Sequence, residues 1–426
     1  MTWPLPWWVA VVPAVVVAVV SFVYVNQAST WAYVAPAQLS GMLRESVTYA
    51  GPLVCICAGW VAERFTNRHS PLSWSTLPRS SGAQGLRILG VVTAAWVTGQ
   101  LAGGIPAIIV QAGRATGGTL YLVEIPLAAA GLAFFIVTGF LIGAVTSRWH
   151  APLLAAGWSS FCVAILPLYY SDVVPDSGRN TEYYLFPALT ASDHRDLDVV
   201  TMSTVVVWWL LVLVSLVVAT RGWYRARARG DDRALMAPGA AVAVICSLGL
   251  LLPHVTPSAF VDGDEDALAC TGAEGLDVCV LAEQEPLLGQ IVAGIGPVTR
   301  RMGEHFPAEV TAVFSYRAVP AALAEGYRPG EFLAVNAGIS GAESVDLDLA
   351  MSLAGISSCE ADRSDQRALR WAFVLGEWIS GGSDTEWSDD PLARGLAARS
   401  DAEILDWYSR HSSSILSCTY VGSGPA

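Results

Sequence analysis

Seven apolar segments follow one another through the first 257 residues of the chain, separated by shorter polar segments. A membrane-spanning helix needs about 20 mostly apolar residues, and each segment meets or approaches that length. The second segment is short unless its helix begins near Gln38. We therefore predict seven transmembrane helices, at residues 6–25, 47–62, 86–110, 125–145, 152–170, 199–220 and 235–255.

The pattern changes after residue 257, where polar residues interrupt the apolar ones throughout. Residues 310–316 alternate in the way a strand does, and helical periodicity recurs at 286–305, 365–378 and 401–416. A segment of about 170 residues is long enough to bury its own core. The predicted fold is an all-α membrane bundle followed by a soluble α+β domain, divided into a six-helix core (1–233), a seventh helix (234–257) and the domain (258–426).

The composition agrees with a membrane protein, since 53% of the 426 residues are hydrophobic and only 14% are charged. The charge is unevenly distributed. Residues 1–257 carry 14 arginines and 11 acidic residues, whereas residues 258–426 carry 10 arginines and 26 acidic residues. The apolar segments make the lipid bilayer a partner of this chain. An acidic surface repels phosphate groups, so we expect no nucleic acid among the partners.

Arginines in short loops indicate the orientation, because cytoplasmic loops carry an excess of them. If the N-terminus is inside the cell, the seven predicted helices place ten arginines in cytoplasmic loops and four in external loops. We therefore expect a multi-pass protein of the cell membrane with a cytoplasmic N-terminus. An odd number of crossings then makes the domain at 258–426 extracytoplasmic.

The polar domain contains four cysteines, Cys270, Cys279, Cys359 and Cys418. Four cysteines allow three pairings, and the sequence leaves the choice open. We favour Cys270 with Cys279, which close a short loop, and Cys359 with Cys418. Disulfides belong to an oxidising compartment, in agreement with the arginine count. The alternative is four free thiols or a metal site, although the usual C-x2-C spacing is missing.

Motifs for catalysis are missing from the sequence. The chain has no lysine and therefore no GxxxxGK[ST] phosphate-binding loop, and HExxH and GxSxG do not occur. Asp262, Asp264 and Asp266 alternate as Ca²⁺ ligands do, but Ala267 stands where that motif has a glycine. We expect no enzyme activity, no cofactor and no bound metal in this chain.

Ionisable residues are rare in the predicted helices. Glu124, Arg148 and His150 fall at helix edges, and Arg44 and Glu45, near the second helix, are the two that can face inward. A proton- or ion-coupled pump usually has carboxylates at depth in the membrane, so this pattern argues against one. A transporter that is driven by the ATPase of a partner does not need them.

The segment between the second and third helices is basic and amphipathic, and Ser70 and Pro71 suit the start of a short helix. Residues 62–80, AERFTNRHSPLSWSTLPRS, resemble the motif of ABC-2-type permeases, in which an acid and an arginine end the second helix and a run like Leu-x-x-x-x-Leu-Pro-Arg follows. The resemblance implies a homodimer or paired permease that contacts a separate ATP-binding-cassette subunit through Glu63, Arg64, Leu72, Leu77, Pro78 and Arg79.

The chain departs from that family by its seventh helix and its C-terminal domain. This arrangement is similar to actinobacterial permeases encoded with antimicrobial-peptide clusters. We therefore expect the permease subunit of an ABC exporter whose cargo is a peptide or an amphipathic small molecule. The alternative is a membrane-anchored extracytoplasmic binding or sensor protein whose helices serve assembly.

Overall fold

The structure, a computed structural model, describes residues 6–30, 34, 36–66, 81–114, 120–146, 149–165, 196–229, 260–261, 268–328, 330–336, 342–356, 366–381, 391–417 and 420. The chain forms two compact units. The first unit lies within residues 1–262, and the second is formed mainly by residues 263–426. The boundary therefore falls close to residue 258, where the polar pattern of the sequence begins.

The described part of the first unit is helical apart from one short pair of strands. Its helices are α1 (Trp8–Asn26), α2 (Pro36–Thr66), α3 (Ser81–Ala112), α4 (Glu124–Thr146), α5 (Ala151–Ser160) and α6 (Val199–Arg229). Among the described residues, five of these helices, all except α5, are long and apolar enough to cross a membrane. Five of the seven predicted helices are thus confirmed. The fifth is shorter than predicted in its described part, and the seventh lies outside the described residues.

Helix α2 begins at Pro36, eleven residues before the predicted segment 47–62, and is 31 residues long. The polar residues of its first turns do not end the helix, because they are buried against neighbouring helices. Ser40, Arg44 and Ser46 are each at most 1% exposed. The start near Gln38 that the sequence left open is therefore the correct one.

Helices α1 and α3 pack in parallel through small residues. A Cβ atom at Gly99 would overlap the carbonyl oxygen of Ala14, and one at Gly103 would overlap that of Ala18. The indole Nε1 of Trp96 donates a hydrogen bond of 3.0 Å to the Ala10 carbonyl oxygen. Glycines four residues apart let two membrane helices approach closely, so these positions set the register of α3 on α1.

Close contacts of glycines with a neighbouring backbone also join α4 to α2. A Cβ atom at Gly139 would overlap the carbonyl oxygen of Cys55, and one at Gly143 would overlap that of Gly59. Both contacts advance along the two helices in the same direction, so α2 and α4 are also parallel. In this register, Glu124 at the start of α4 lies level with the first turns of α2.

The remaining contacts fix the direction of α2 relative to α1 and α5. The rings of Trp8 and Trp60 lie 6.1 Å apart, so the start of α1 meets the end of α2. Cys55 Sγ lies 3.5 Å from the carbonyl oxygen of Ala155 in α5, while Gly59 lies against Ala151, earlier in that helix. Both α1 and α5 are therefore antiparallel to α2.

Helix α6 follows α4 in direction. The rings of Phe134 and Trp209 pack edge to face at 5.5 Å, and Trp223 Nε1 donates to the Ala144 carbonyl oxygen at 3.3 Å. The described helices thus alternate: α1, α3 and α5 run one way, and α2, α4 and α6 run the other way. We call the end of the bundle where α1 begins the N-terminal end, and the other one the opposite end.

A short antiparallel pair joins the start of α6 to a later part of the chain. Strand β1 (Asp196–Leu197) precedes α6, and β2 (Phe260–Val261) pairs with it. Helix α6 has 31 residues and is therefore about 45 Å long. After Arg229 the chain must cover this length again to reach β2 at the opposite end. The predicted seventh helix falls within that connection, which lies outside the described residues.

The second unit contains a four-stranded sheet in its described residues. Strands β3 (Leu268–Ala273) and β4 (Leu276–Leu281) form an antiparallel hairpin. Its two-residue turn has a positive φ at Glu274 (53°) and Gly275 (83°), as a type I′ turn requires. Strands β5 (Ala312–Ser315) and β6 (Phe332–Val335) extend the sheet in parallel to β4, which gives the order β3-β4-β5-β6.

Helices cover both faces of this sheet. They are α7 (Leu288–Met302), α8 (Val319–Ala324), α9 (Ala342–Leu353), α10 (Gln366–Ser380), α11 (Pro391–Ala397) and α12 (Asp401–Leu416). Alternate strand residues face opposite ways. Val313 joins a large core with α7, α9, α10 and α12, whereas Phe314 joins a smaller core with α8. The second unit therefore buries its own two-sided core.

The sequence predictions for this unit are confirmed where periodicity was strong. Helices α7, α10 and α12 match the predicted helices, and β5 matches the predicted strand at 310–316. The bounds of α12 are fixed by a capping box, in which Ser400 and Glu403 satisfy each other's backbone N–H groups. Strands β3, β4 and β6 and helix α9 were not predicted.

Candidate functional site

A buried ion pair joins two helices of the first unit. Arg44 on α2 places Nη1 3.9 Å from Oε2 of Glu124, the first residue of α4. Their side chains are 1% and 0% exposed. The expectation that Arg44 can face inward is confirmed. The expectation that Glu124 lies at a helix edge is confirmed, because it is the first residue of α4. Its burial was not expected and follows from the parallel register of α4 on α2.

The carboxylate of Glu124 is poorly solvated by the protein. Within the described residues, neither of its oxygens accepts a hydrogen bond. Removing two opposite charges from water costs several kcal/mol per ion, and a distance of 3.9 Å without a hydrogen bond repays little of it. An ionisable pair held inside membrane helices at such a cost is more often functional than structural.

Further polar side chains line the contacts of α1, α2 and α3 at a similar level of the bundle. The amide of Gln100 donates to the Leu43 carbonyl oxygen at 3.4 Å, and the Ser46 hydroxyl donates to the same oxygen at 2.7 Å. The hydroxyls of Ser21 and Ser46 lie 3.3 Å apart. All three polar residues are fully buried. Together with Arg44 and Glu124, they form what we call the polar interior of the bundle.

At the opposite end of the bundle, hydrogen bonds of polar side chains join the end of α3 to the end of α1. Arg114 Nη1 donates to Gln111 Oε1 at 2.8 Å and to the Ser29 carbonyl oxygen at 3.0 Å. Gln111 in turn donates to Asn26 Oδ1 at 3.3 Å. These bonds tie the end of α3 to the end of α1, and so restrict how far the two helices can separate there.

The residues predicted to contact an ATPase lie partly within the described chain. Glu63 and Arg64 belong to the last turn of α2, at the N-terminal end of the bundle. The Glu63 side chain is 7% exposed, whereas Arg64 is exposed with its guanidinium 5.0 Å above the Trp60 ring. The other four, Leu72, Leu77, Pro78 and Arg79, lie outside the described residues. Their role stays a prediction.

The predicted disulfide between Cys270 and Cys279 is confirmed. It joins directly opposite residues of β3 and β4, whose Cα atoms are 4.1 Å apart. Cys359 and Cys418, the other predicted pair, lie outside the described residues. A disulfide in the second unit is compatible with an extracytoplasmic location.

One histidine of the second unit lies near both a serine and an aspartate. His305 Nδ1 is 2.9 Å from Ser409 Oγ and 3.9 Å from Asp406 Oδ1. A catalytic triad uses one ring nitrogen for the nucleophile and the other for the carboxylate, whereas both contacts here involve Nδ1. The cluster therefore connects α12 to the end of α7 and is not arranged for nucleophilic catalysis.

A partly buried carboxylate lies where the parallel strand β6 ends. Asp348 accepts a hydrogen bond of 3.1 Å from the backbone N–H of Asn336. Burial raises the pKa of Asp348 above its usual range, and the bond to Asn336 opposes that rise. The nearby Ser315 hydroxyl, buried at the end of β5, donates to Gln284 at 2.8 Å. These groups satisfy one another and hold the loops at this edge of the sheet.

No protein-family model, curated protein or solved structure matches the chain. The described helices define a membrane protein whose bundle has a charged polar interior and whose C-terminal unit folds around its own core.

Proposed function

We propose that the chain is the membrane subunit of an exporter that works with a separate ATP-binding-cassette subunit. The observation that carries this proposal is the buried pair of Arg44 and Glu124 inside the helical bundle. Helices that serve only as an anchor gain nothing from burying charges, because apolar residues pack at lower cost. Ionisable residues buried among membrane helices commonly mark a transport site, so the pair supports transport, while the ATPase partner is argued from the basic segments.

The position of the basic segments supports a partner that supplies ATP hydrolysis. Arginine-rich sequence follows α2 at residues 63–87 and ends α6 at residues 221–233. The end of α2, the start of α3 and the end of α6 lie together at the N-terminal end of the bundle. We assign this end to the cytoplasm, where both segments are available to one ATPase. The opposite end, where β2 leads into the second unit, is then extracytoplasmic.

Co-purification tests the ATPase partnership. The full-length protein, extracted from its native membrane in mild detergent, is expected to retain a protein with a Walker-type phosphate-binding loop, identified by mass spectrometry. Arg64→Glu, at the exposed end of α2, is expected to weaken that association at least about tenfold, because it reverses a charge at the contact. Arg394→Glu, at an exposed position of α11 in the second unit, is the matched control. Purification of a stable protein without any ATPase would overturn the proposal.

A second function is favoured by the independent core and the disulfide of the second unit: a membrane-anchored binding protein. The double variant Arg44→Gln with Glu124→Gln separates the two functions, because it removes both charges and keeps polar side chains at the two positions. In an exporter, the ATPase rate of the purified complex should lose its response to cargo. In an anchored binding protein, all activity should persist in this variant.

A further inference from the structure

Strand β3 is an edge of the sheet in the second unit. It pairs with β4 on one side, and no other strand of the described chain pairs with its second side. Cys270, Thr271 and Gly272 in the middle of the strand are exposed. At the other edge of the sheet, β6 is mostly buried. Within the described residues, β3 is therefore the exposed edge of this sheet.

The disulfide identifies which backbone groups face outward. Directly opposite residues of an antiparallel pair have Cα atoms about 5.5 Å apart when they exchange hydrogen bonds and about 4.5 Å apart when they do not. The separation for Cys270 and Cys279 is 4.1 Å, so this is a non-hydrogen-bonded pair. The N–H and C=O groups of Cys270 therefore point away from β4. By the two-residue period of a strand, those of Leu268 and Gly272 do so as well.

Two common protections of an edge strand, a charged residue and a proline within the strand, are missing from β3. Residues 268–273 read LACTGA and contain no charged residue and no proline, both of which discourage a further strand from pairing. The disulfide holds β3 on β4, so the outward groups keep a fixed register. The outward N–H and C=O groups of β3 can thus form hydrogen bonds with the backbone of an added strand in one fixed register.

The charge around this edge decides between possible occupants. Asp277 follows the strand, four acidic residues lie within 262–266 of the sequence, and residues 258–426 contain 26 acidic residues against 10 arginines. Glu274, in the turn after the strand, is paired with Arg300 at 3.7 Å. A second copy of the unit carries the same negative charge and is repelled, whereas a cationic segment is attracted. We propose that the free edge of β3 binds an extended, cationic segment of a peptide cargo as an additional strand.

This inference rests on the proposed exporter function and takes the peptide, one of the two cargo classes expected from the sequence, as the cargo, but binding can be measured without transport. The probe is a fluorescein-labelled ten-residue peptide of alternating arginine and valine, titrated against the full-length protein in detergent and followed by fluorescence anisotropy. A second peptide has the same sequence with every backbone N–H group methylated, so that neither of its edges can donate a main-chain hydrogen bond. The methylated peptide is expected to bind at least about tenfold more weakly, because it keeps the charge and loses main-chain donors.

A variant of the protein tests the same edge from the other side. Gly272→Pro removes one outward N–H, and an edge strand tolerates proline at such a position. It is expected to weaken binding of the unmethylated peptide about fivefold, whereas Thr271→Val, which keeps every backbone donor, should not change it. Equal affinities for the two peptides in the wild-type protein would overturn the proposal, whatever the variant does.

Failure of this inference is distinguishable from failure of the proposed function. If neither peptide binds while the ATPase still co-purifies, the edge is not the cargo site and the exporter proposal stands. If neither peptide binds and the wild-type protein elutes as a dimer that Gly272→Pro separates, a second copy occupies the edge and the peptide proposal is wrong.

Discussion

Gly143 of α4 lies directly against the backbone of Gly59 in α2, so closely that a Cβ atom at position 143 would overlap the Gly59 carbonyl oxygen. The neighbouring contact of Gly139 with Cys55 is equally close. Together they fix the register in which Glu124 reaches Arg44. The charged interior of the bundle therefore depends on two glycines that are themselves uncharged and distant in sequence from Arg44.

Substitution of Gly143 should accordingly be costly. Gly143→Val is expected to lower the free energy of unfolding by about 2 kcal/mol or more, because backbone must move to admit the side chain. Gly90→Ala is the control, since a Cβ atom there meets nothing within 4 Å. Thermal unfolding of the detergent-solubilised protein measures both. A Gly143 variant as stable as the control would contradict the close packing.

The Arg44–Glu124 pair should show strong energetic coupling. Arg44→Gln and Glu124→Gln are each expected to destabilise the protein by about 3 kcal/mol, because each leaves one buried charge uncompensated. The double variant should cost much less than the sum of the two single changes. Unfolding of all four proteins in mixed detergent micelles gives the coupling energy. Additive losses would mean that the two side chains do not interact.

The Cys270–Cys279 disulfide should be formed and stabilising. Replacing both cysteines with serine is expected to lower the free energy of unfolding by about 2.5 kcal/mol, the loop-closure value for a sequence separation of 9. Peptide mapping by mass spectrometry without reduction checks the bond itself. The same map tests the predicted Cys359–Cys418 pair. Alkylation of Cys270 without prior reduction would contradict the structure.

Asp348 should make the stability of the second unit depend on pH. Its pKa is raised in the folded state, so folding binds the proton more tightly, and this contribution is lost as the pH rises through the folded pKa. Asp348→Asn keeps an oxygen acceptor for the Asn336 N–H and removes the buried charge. Its stability relative to the wild-type protein should therefore increase as the pH rises above about 4, the usual pKa of an aspartate.

Denaturant unfolding at several pH values measures this difference. Glu304→Gln, which replaces an exposed carboxylate on the same unit, is the control for the loss of one carboxylate. If the difference between Asp348→Asn and the wild-type protein is the same at every pH, the buried Asp348 does not titrate with folding.

Elements with strong local signals were predictable from the sequence. Helix α12 combines helical periodicity with a Ser400 cap, and both act within a few residues. The start of α2 was predicted too late, because buried polar residues such as Ser40 and Ser46 look like a loop in a hydropathy pattern. Strand β3 has no alternation of polar and apolar residues and was missed for that reason.

The burial of Glu124 could not be predicted, because it depends on the register between two helices about 80 residues apart in the sequence. A signal was present: Gly139 and Gly143 are four residues apart on α4, which is typical of a close helix contact. The four-residue spacing of these glycines does not identify which helix packs against them, however. Only the three-dimensional structure shows that α2 is the partner of α4 and that this contact brings Glu124 close to Arg44.

The short pairing of β1 with β2 gives α6 a mechanical connection to the chain that enters the second unit. Leu197 is two residues before α6 and pairs with Phe260, and the second unit begins a few residues later. If α6 slides or tilts, the pair of strands β1 and β2 at its start must therefore move with it. The basic end of α6 and this strand pair therefore lie at the two ends of one rigid element about 45 Å long.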